Sequence, residues 1–237
     1  MAYGDTTITY SVVRSPRRKT IGITVYPSGG VRVAVPQRMS EARARRFVAE
    51  KAGWIDRKLR EFRAEGGRDA TKRYDEGEAF LYLGAEYRLR LVTGDHGPLV
   101  TRDDRRLNVV LPAGVSGGLR SDMAREAVFE WYRFHAEMAI DRAMPAYCRK
   151  LGILPPCYRV KNLRRRWGSC TARNLLSFNA KIAMAPLPQL EYVLAHELCH
   201  VKIKDHSPRF WALVESVMPD YNAAKKALRK DGWKYEL

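Results

Sequence analysis

Long apolar runs are missing from this chain. No stretch approaches the roughly 20 residues needed to span a bilayer, which argues against a helical membrane protein. The first residues hold no basic cap followed by an apolar segment, so no secretion signal is expected. Cysteine is scarce: there are four, Cys148, Cys157, Cys170 and Cys199, and none stands in a C-x-x-C pair. With no export signal, that predicts free thiols in a reducing compartment, with the cytoplasm as the expected location. Acidic residues are outnumbered, 26 against 43 Lys plus Arg, for a formal charge of +17. This balance leaves the fold open but points to an anionic partner, whether nucleic acid, an acidic substrate or an anionic surface. Internal repeats and low-complexity blocks are also absent.

What is present is ordinary globular material. The 237 residues are 46% hydrophobic and 29% charged, enough for a sizeable core and too apolar for wholesale disorder. Residues 7–13, 20–26 and 31–35 read as strands, the last two joined by a hairpin turn at Pro27-Ser28-Gly29-Gly30. Ser40 is placed to cap one long helix to about Phe62, with Phe47, Trp54, Ile55, Leu59 and Phe62 near helical spacing. Residues 63–74 read as a basic loop, residues 80–92 and 107–111 as strands, and residues 114–118 as a boundary. From Ser121 the pattern is helical, with Val128, Trp131, His135, Met138 and Ala139 as its buried stripe. Strands are expected at 158–163 and 175–183. The second alternates Leu176, Phe178, Ala180 and Ile182 with Ser177, Asn179 and Lys181. Pro186 and Pro188 open a helix to about Ile203. Ser207-Pro208 opens another to Met218, and Asp220 caps a last one ending at Gly232. The expected architecture is α+β, with a β-rich part at 1–118 carrying one long helix and a second domain at 119–237.

The chemistry concentrates in His196-Glu197-Leu198-Cys199-His200, followed by His206. Residues four apart share a helical face, so two imidazoles can reach one cation. Zinc takes neutral nitrogen ligands in a near-tetrahedral shell, and a catalytic site leaves one position open for water. Glu197 is rotated about one hundred degrees from His196, which suits a base rather than a ligand. Leu190, Leu194 and Leu198 form one stripe of the same helix, and Tyr192, His196 and His200 a second on roughly the opposite side. Chance would produce H-E-x-x-H in under about one chain in a hundred of this composition. Three of the five histidines lie within eleven residues.

The segment Arg166-Trp167-Gly168-Ser169-Cys170, the strand at 175–182, Pro186, the H-E-x-x-H helix and His206-Ser207-Pro208-Arg209-Phe210-Trp211 together resemble the YgjP-like metallopeptidases. Those are relatives of the SprT group within the zincins. The Trp54-Ile55 helix and the N-terminal hairpin are similar to that family too, so the resemblance covers most of the chain. It implies a minimal zincin unit at 119–237, built of antiparallel strands and the H-E-x-x-H helix. It also implies one zinc ion per chain on His196, His200 and His206, with Glu197 as catalytic base. On this reading Glu197 takes a proton from the attacking water and returns it to the leaving amine. By the same resemblance the strand at 175–182 would line the cleft and pair with an extended peptide. The metzincins share the His200 to His206 spacing, but Ile203 replaces their glycine and no Met-turn is visible.

Several side chains remain open. Tyr221, Asn179 and Arg209 are candidates for holding an oxyanion, and Ser177 and Arg166 join them as substrate-binding candidates. From Arg142 to Leu190 there are ten Lys or Arg and no acid. That run is either an anion-binding surface or a solvated basic face. Trp167 is read as an anchor, Cys170 as structural or cleft-lining, Cys199 as a core thiol, His135 as a satisfied core histidine, and His96 as a turn residue. Trp131, Phe210 and Trp211 are read as core. The leading reading is a cytoplasmic zinc metallopeptidase acting on polypeptide. The alternatives are a metal-dependent nucleotide phosphohydrolase, a DNA-associated SprT-like protease, and a binding module with a structural metal. Glu197 argues against the last, since a closed structural site needs no base.

Overall fold

The computed structural model describes every residue except 1, 4, 5, 27, 65–71, 96 and 165, with the backbone alone at 2 and 6. His96, Arg165, Pro27 and most of the basic loop at 63–74 therefore lie outside the described residues. The chain divides into two compact units, Met1–Ala70 and Thr71–Leu237. The boundary expected at 118 falls inside the second unit.

In the first unit a short ladder pairs β1 (Ala2–Tyr3) with β2 (Thr6–Thr7). The strands β3 (Ser11–Ser15), β4 (Gly22–Val25) and β5 (Val31–Pro36) form a sheet with β5 at its centre, parallel to β3 and antiparallel to β4. Val31, Val33 and Val35 are buried while Arg32 is exposed, the period-two signature of a half-buried strand. The expected single helix is two, α1 (Glu41–Glu50) and α2 (Ala52–Ala64). Ser40 caps the first, its hydroxyl accepting from Arg43 N at 3.3 Å. Lys51 between them leaves helical geometry at φ −99° and ψ 3°, yet Ile55 N still donates to Lys51 O at 2.9 Å. The buried stripe is Ala44, Val48, Ala52, Ile55 and Leu59, packed with Ile8 and the three valines. Phe47 and Phe62 are only half-buried and Trp54 is exposed, so the bulky aromatics flank the stripe that aliphatic residues fill.

The second unit opens with β6 (Ala79–Tyr82), β7 (Ala85–Gly94), β8 (Leu99–Asp103) and β9 (Arg106–Pro112), ordered β6-β7-β9-β8. Leu83 and Gly84 turn the first pair at φ 48° and 83°, the double positive φ of a type I′ hairpin. Inward Leu89, Leu107, Val109 and Leu111 pack on α3 (Gly117–Leu151), a 35-residue helix closed by Gly152 in the left-handed region. Its buried positions include Val128, Trp131, Tyr132, Ala136 and Ile140, whereas Met138 of the expected stripe is 53% exposed. His135 is half-buried among Tyr82, Trp131 and Phe134, with Nδ1 3.3 Å from the Tyr82 hydroxyl. Burial, helped by the Arg102 charge, lowers its pKa, which keeps the ring neutral.

Then come β10 (Tyr158–Lys161), β11 (Gly168–Cys170) and β12 (Leu176–Asn179). The expected strand to 183 stops at Asn179, and residues 180–184 wind into a 3₁₀ turn that takes Lys181 off any strand face. The sheet is mixed rather than antiparallel: β12 runs parallel to β10 and antiparallel to β11. With order β10-β12-β11, β12 has strands on both sides and no edge to offer a peptide. The helices α4 (Leu187–Lys202), α5 (Pro208–Val217) and α6 (Tyr221–Asp231) complete the unit. The α+β architecture holds. All four cysteines are free, and no helix among the described residues is long and apolar enough to cross a membrane.

Candidate metal centre

Leu190, Leu194 and Leu198 are at most 1% exposed and anchor α4 in the core. That turns His196 and His200, one turn apart, to a common side. After Lys202 the chain leaves the helix, Ile203 taking φ −130° and ψ 112°. His206 sits in the short link to α5, where Asp205 Oδ1 accepts from Ser207 N at 2.9 Å and Pro208 starts the helix. Hydrogen bonds from Ser207 hold the Asp205 carboxyl below its ordinary pKa, and the exposed Arg209 adds to this.

The three imidazoles converge. Nε2 of His196 lies 3.2 Å from that of His200 and 3.1 Å from that of His206, and the last two are 3.2 Å apart. Zinc–nitrogen bonds of about 2.0–2.1 Å at tetrahedral angles put neighbouring nitrogens about 3.3–3.4 Å apart, so the triangle fits one such ion. It is the one such group of His, Cys, Asp and Glu among the described residues. Two of the rings, His196 and His200, are held neutral by their surroundings. Burial, together with the neighbouring His200 and His206, pushes the His196 pKa down to about 3, and burial lowers that of His200. His200 Nδ1 is 2.9 Å from the Ile203 carbonyl. A carbonyl only accepts, so Nδ1 carries the proton and Nε2 keeps a free lone pair.

Aromatic rings wall the triad. Phe210 is fully buried and stacks on His200 with centroids 4.3 Å apart and planes at 22°. Trp211 stands 5.7 Å from both His196 and His206, Tyr221 stacks on it at 5.7 Å, and Lys225 Nζ lies 3.5 Å over its face. Tyr192 reaches His196 at 5.8 Å, and burial raises its phenol to about 12.

Glu197 is 5% exposed, and its Oε2 has no hydrogen-bond partner. Burial raises its carboxyl to about 7, against the opposing charge of Arg166. Gly168 faces it closely: a Cβ there would stand 2.6 Å from Glu197 Cγ and 2.7 Å from Oε1. Gly168 opens β11, and a glycine in a strand marks such a close approach. That signal was present in the Trp167-Gly168-Ser169 run.

The other candidates are dispersed. Asn179 is buried; its amide donates to Leu163 O at 2.6 Å and Arg166 O at 3.1 Å, and its Oδ1 accepts from Lys181 N. Those bonds commit it to shaping the loop before β11. Ser177 pairs with Ser169 and, by strand alternation, lies on the face turned away from Gly168. Tyr221 is 7% exposed within the aromatic wall. Arg166 and Arg209 are exposed. The basic run at 142–190 is partly spent on structure. Lys150 donates to Val217 O at 2.8 Å and Lys181 pairs with Glu236, while Arg159, Lys161, Arg164 and Arg173 face solvent. Trp167 packs edge-on to Tyr235 at 5.9 Å, an anchor. Cys199 is buried, with its thiol pushed up to about 12.

Three converging imidazole nitrogens beside a buried carboxyl whose Oε2 has no hydrogen-bond partner are parts that a hydrolytic metal site needs. The YgjP-like metallopeptidase domain matches residues 19–231. The chain belongs to that family. No curated protein sequence matches it. Membership carries the general reading of a metal-dependent hydrolase of the protease kind. The match runs through most of both compact units, so the YgjP-like domain is not confined to the half that bears the histidines.

Proposed function

We propose that this YgjP-like chain is a zinc-dependent peptidase, with His196, His200 and His206 as metal ligands and Glu197 as general base. The observation that carries the reading is the Nε2 triangle of 3.1–3.2 Å sides beside a buried, unpartnered carboxylate. Bound there, zinc supplies a Lewis acid and acidifies water at the open corner. The His200 Nδ1 bond to Ile203 O fixes the tautomer and ring plane of that ligand. Glu197 Oε2 accepts the proton of the attacking water and passes it to the departing amine nitrogen. Its raised pKa suits both halves of that transfer near neutrality.

Substrate would add along β11 rather than β12. The bonds Asn179 N to Trp167 O and Thr171 N to Leu175 O mark those pairs as hydrogen-bonded. Antiparallel pairs alternate, so Gly168 and Cys170 turn their backbone N–H and C=O to the outer edge, on which no described strand pairs. An extended peptide hydrogen-bonded there would run past Glu197.

The test is cleavage of an unfolded protein by the zinc-loaded chain, with and without chelator, compared with Glu197→Gln. Loss of cleavage with zinc stoichiometry kept at one supports the reading. Undiminished cleavage in that variant, or phosphate release from nucleotides with no cleavage of polypeptide, overturns it.

A further inference from the structure

The link that carries His206 holds a second device. Lys204, two residues earlier, reaches back to the β11–β12 hairpin. Its Nζ donates to Thr171 O at 3.0 Å and to Asn174 Oδ1, and it lies 3.3 Å from Cys170 Sγ. An ammonium has three N–H donors, and here all three meet acceptors on a single turn. The turn is shaped to receive them. Asn174 sits at φ 60°, a left-handed position that asparagine tolerates. Asn174 N donates to Thr171 O at 3.0 Å, and Leu175 N to Thr171 Oγ1 at 3.0 Å. This hairpin continues from β11, whose first residue is the Gly168 that presses on Glu197. One ammonium thus joins the loop bearing the third imidazole to the strand bearing on the carboxylate.

We propose that Lys204 is a positioning residue that locks the third metal ligand and the cleft-lining strand into one register, so that metal binding orders the strand and strand binding tightens the metal. The inference rests on the metallopeptidase reading and extends it. Lys204 is exposed, and solvated polar contacts of this kind contribute little to global stability. Ordering a long side chain through three bonds instead has its effect where the loop and the hairpin must hold still together, which is when His206 closes on an ion. Coupling of this sort is reciprocal by linkage.

The test measures zinc affinity by competition with a chromophoric chelator, and amide hydrogen exchange with and without zinc, in the full chain. Lys204→Met is expected to weaken zinc about tenfold, the size of effect seen when groups that orient ligands are removed. Its metal-free melting temperature should stay within about 2 °C of the parent, as for an exposed contact. Asn174→Gly keeps the left-handed turn and removes one acceptor, so it should weaken zinc by a smaller factor, and Lys204→Arg should recover part of the loss. Zinc should slow exchange at residues 168–174 in the parent but not in Lys204→Met. Zinc affinity within twofold of the parent in both Lys204→Met and Asn174→Gly, or equal zinc protection of the hairpin in parent and Lys204→Met, overturns the proposal. Failure of the parent itself to bind zinc would sink the metallopeptidase reading along with it, a different outcome from parental binding that is merely indifferent to residue 204.

Discussion

Gly168 is the sharpest point at which to perturb the proposed base without touching a ligand. Its φ is ordinary, so alanine brings no backbone strain, and the whole effect comes from one methyl group. That methyl would sit 2.6 Å from Glu197 Cγ and 2.8 Å from Cδ. Carbon atoms rest at about 3.5–4.0 Å, so the carboxylate or the strand must retreat by about 1 Å. Displacement of a reacting group by about 1 Å can cost on the order of a hundredfold in rate. Gly168→Ala is therefore expected to lower kcat/KM for an unfolded-protein substrate about 100-fold. Zinc affinity should stay within about threefold, since the new contacts fall on Glu197 rather than on the imidazoles. Overpacking should cost about 1–3 kcal/mol of stability, and at this chain length each kcal/mol lowers Tm by about 2–4 °C. Shortening the carboxylate makes room, so in a Glu197→Asp background the same alanine should cost far less, a non-additivity that a double-mutant cycle reads directly. Turnover of Gly168→Ala within threefold of the parent, or an additive cycle, would refute the reasoning.

Other variants divide the metal centre from its surroundings. His206→Ala removes one corner of the triangle and should abolish stoichiometric zinc at micromolar concentrations, whereas His135→Ala, on a histidine committed to Tyr82 and Trp131, should keep one zinc per chain by metal analysis. Phe210→Ala deletes a fully buried ring that stacks on His200, and should cost about 3–5 kcal/mol in chemical denaturation as well as weaken zinc. Gly84→Ala combines φ 83° with a Cβ 2.8 Å from Pro186 Cγ. A left-handed alanine costs about 1–2 kcal/mol before that clash is counted, so its melting temperature should fall while the zinc stoichiometry holds.

The convergence of the three imidazoles was legible because its geometry is local. Two imidazoles four residues apart must share a helical face, and the leucine stripe of the same helix fixes which side is core. His206 follows by a short offset, and the helix start at Ser207-Pro208 is equally local. Features set by volume or by distant pairing were not legible. Spacing put Phe47 and Trp54 on the buried stripe. Ala44, Val48 and Ala52 share it with the expected Ile55 and Leu59 instead. The β8 strand escaped notice because Leu99–Asp103 is mostly exposed and lacks a clean apolar alternation. The unit boundary fell at 70 rather than near the glycines of 114–118 because α3 packs on the sheet that precedes it, and that packing is invisible in composition.

Strand order decided the rest. The alternation across residues 175–183 read as a half-buried strand with Ser177, Asn179 and Lys181 on its polar face, and the family resemblance implied that this strand lines the cleft. A central strand cannot serve that way. Its backbone is already paired on both sides, Asn179 is bonded into the preceding loop, Lys181 pairs with Glu236, and Ser177 faces away from Gly168. The outer strand that lies against Glu197 is β11, and its free backbone groups are those of Gly168 and Cys170. The same glycine that clears space for the Glu197 carboxylate also begins that edge. Where substrate strand and base must come within a few ångströms of each other, a residue without a side chain is the one that fits. A search for chemistry-bearing side chains passes over such a position, because its contribution lies in the volume it leaves empty.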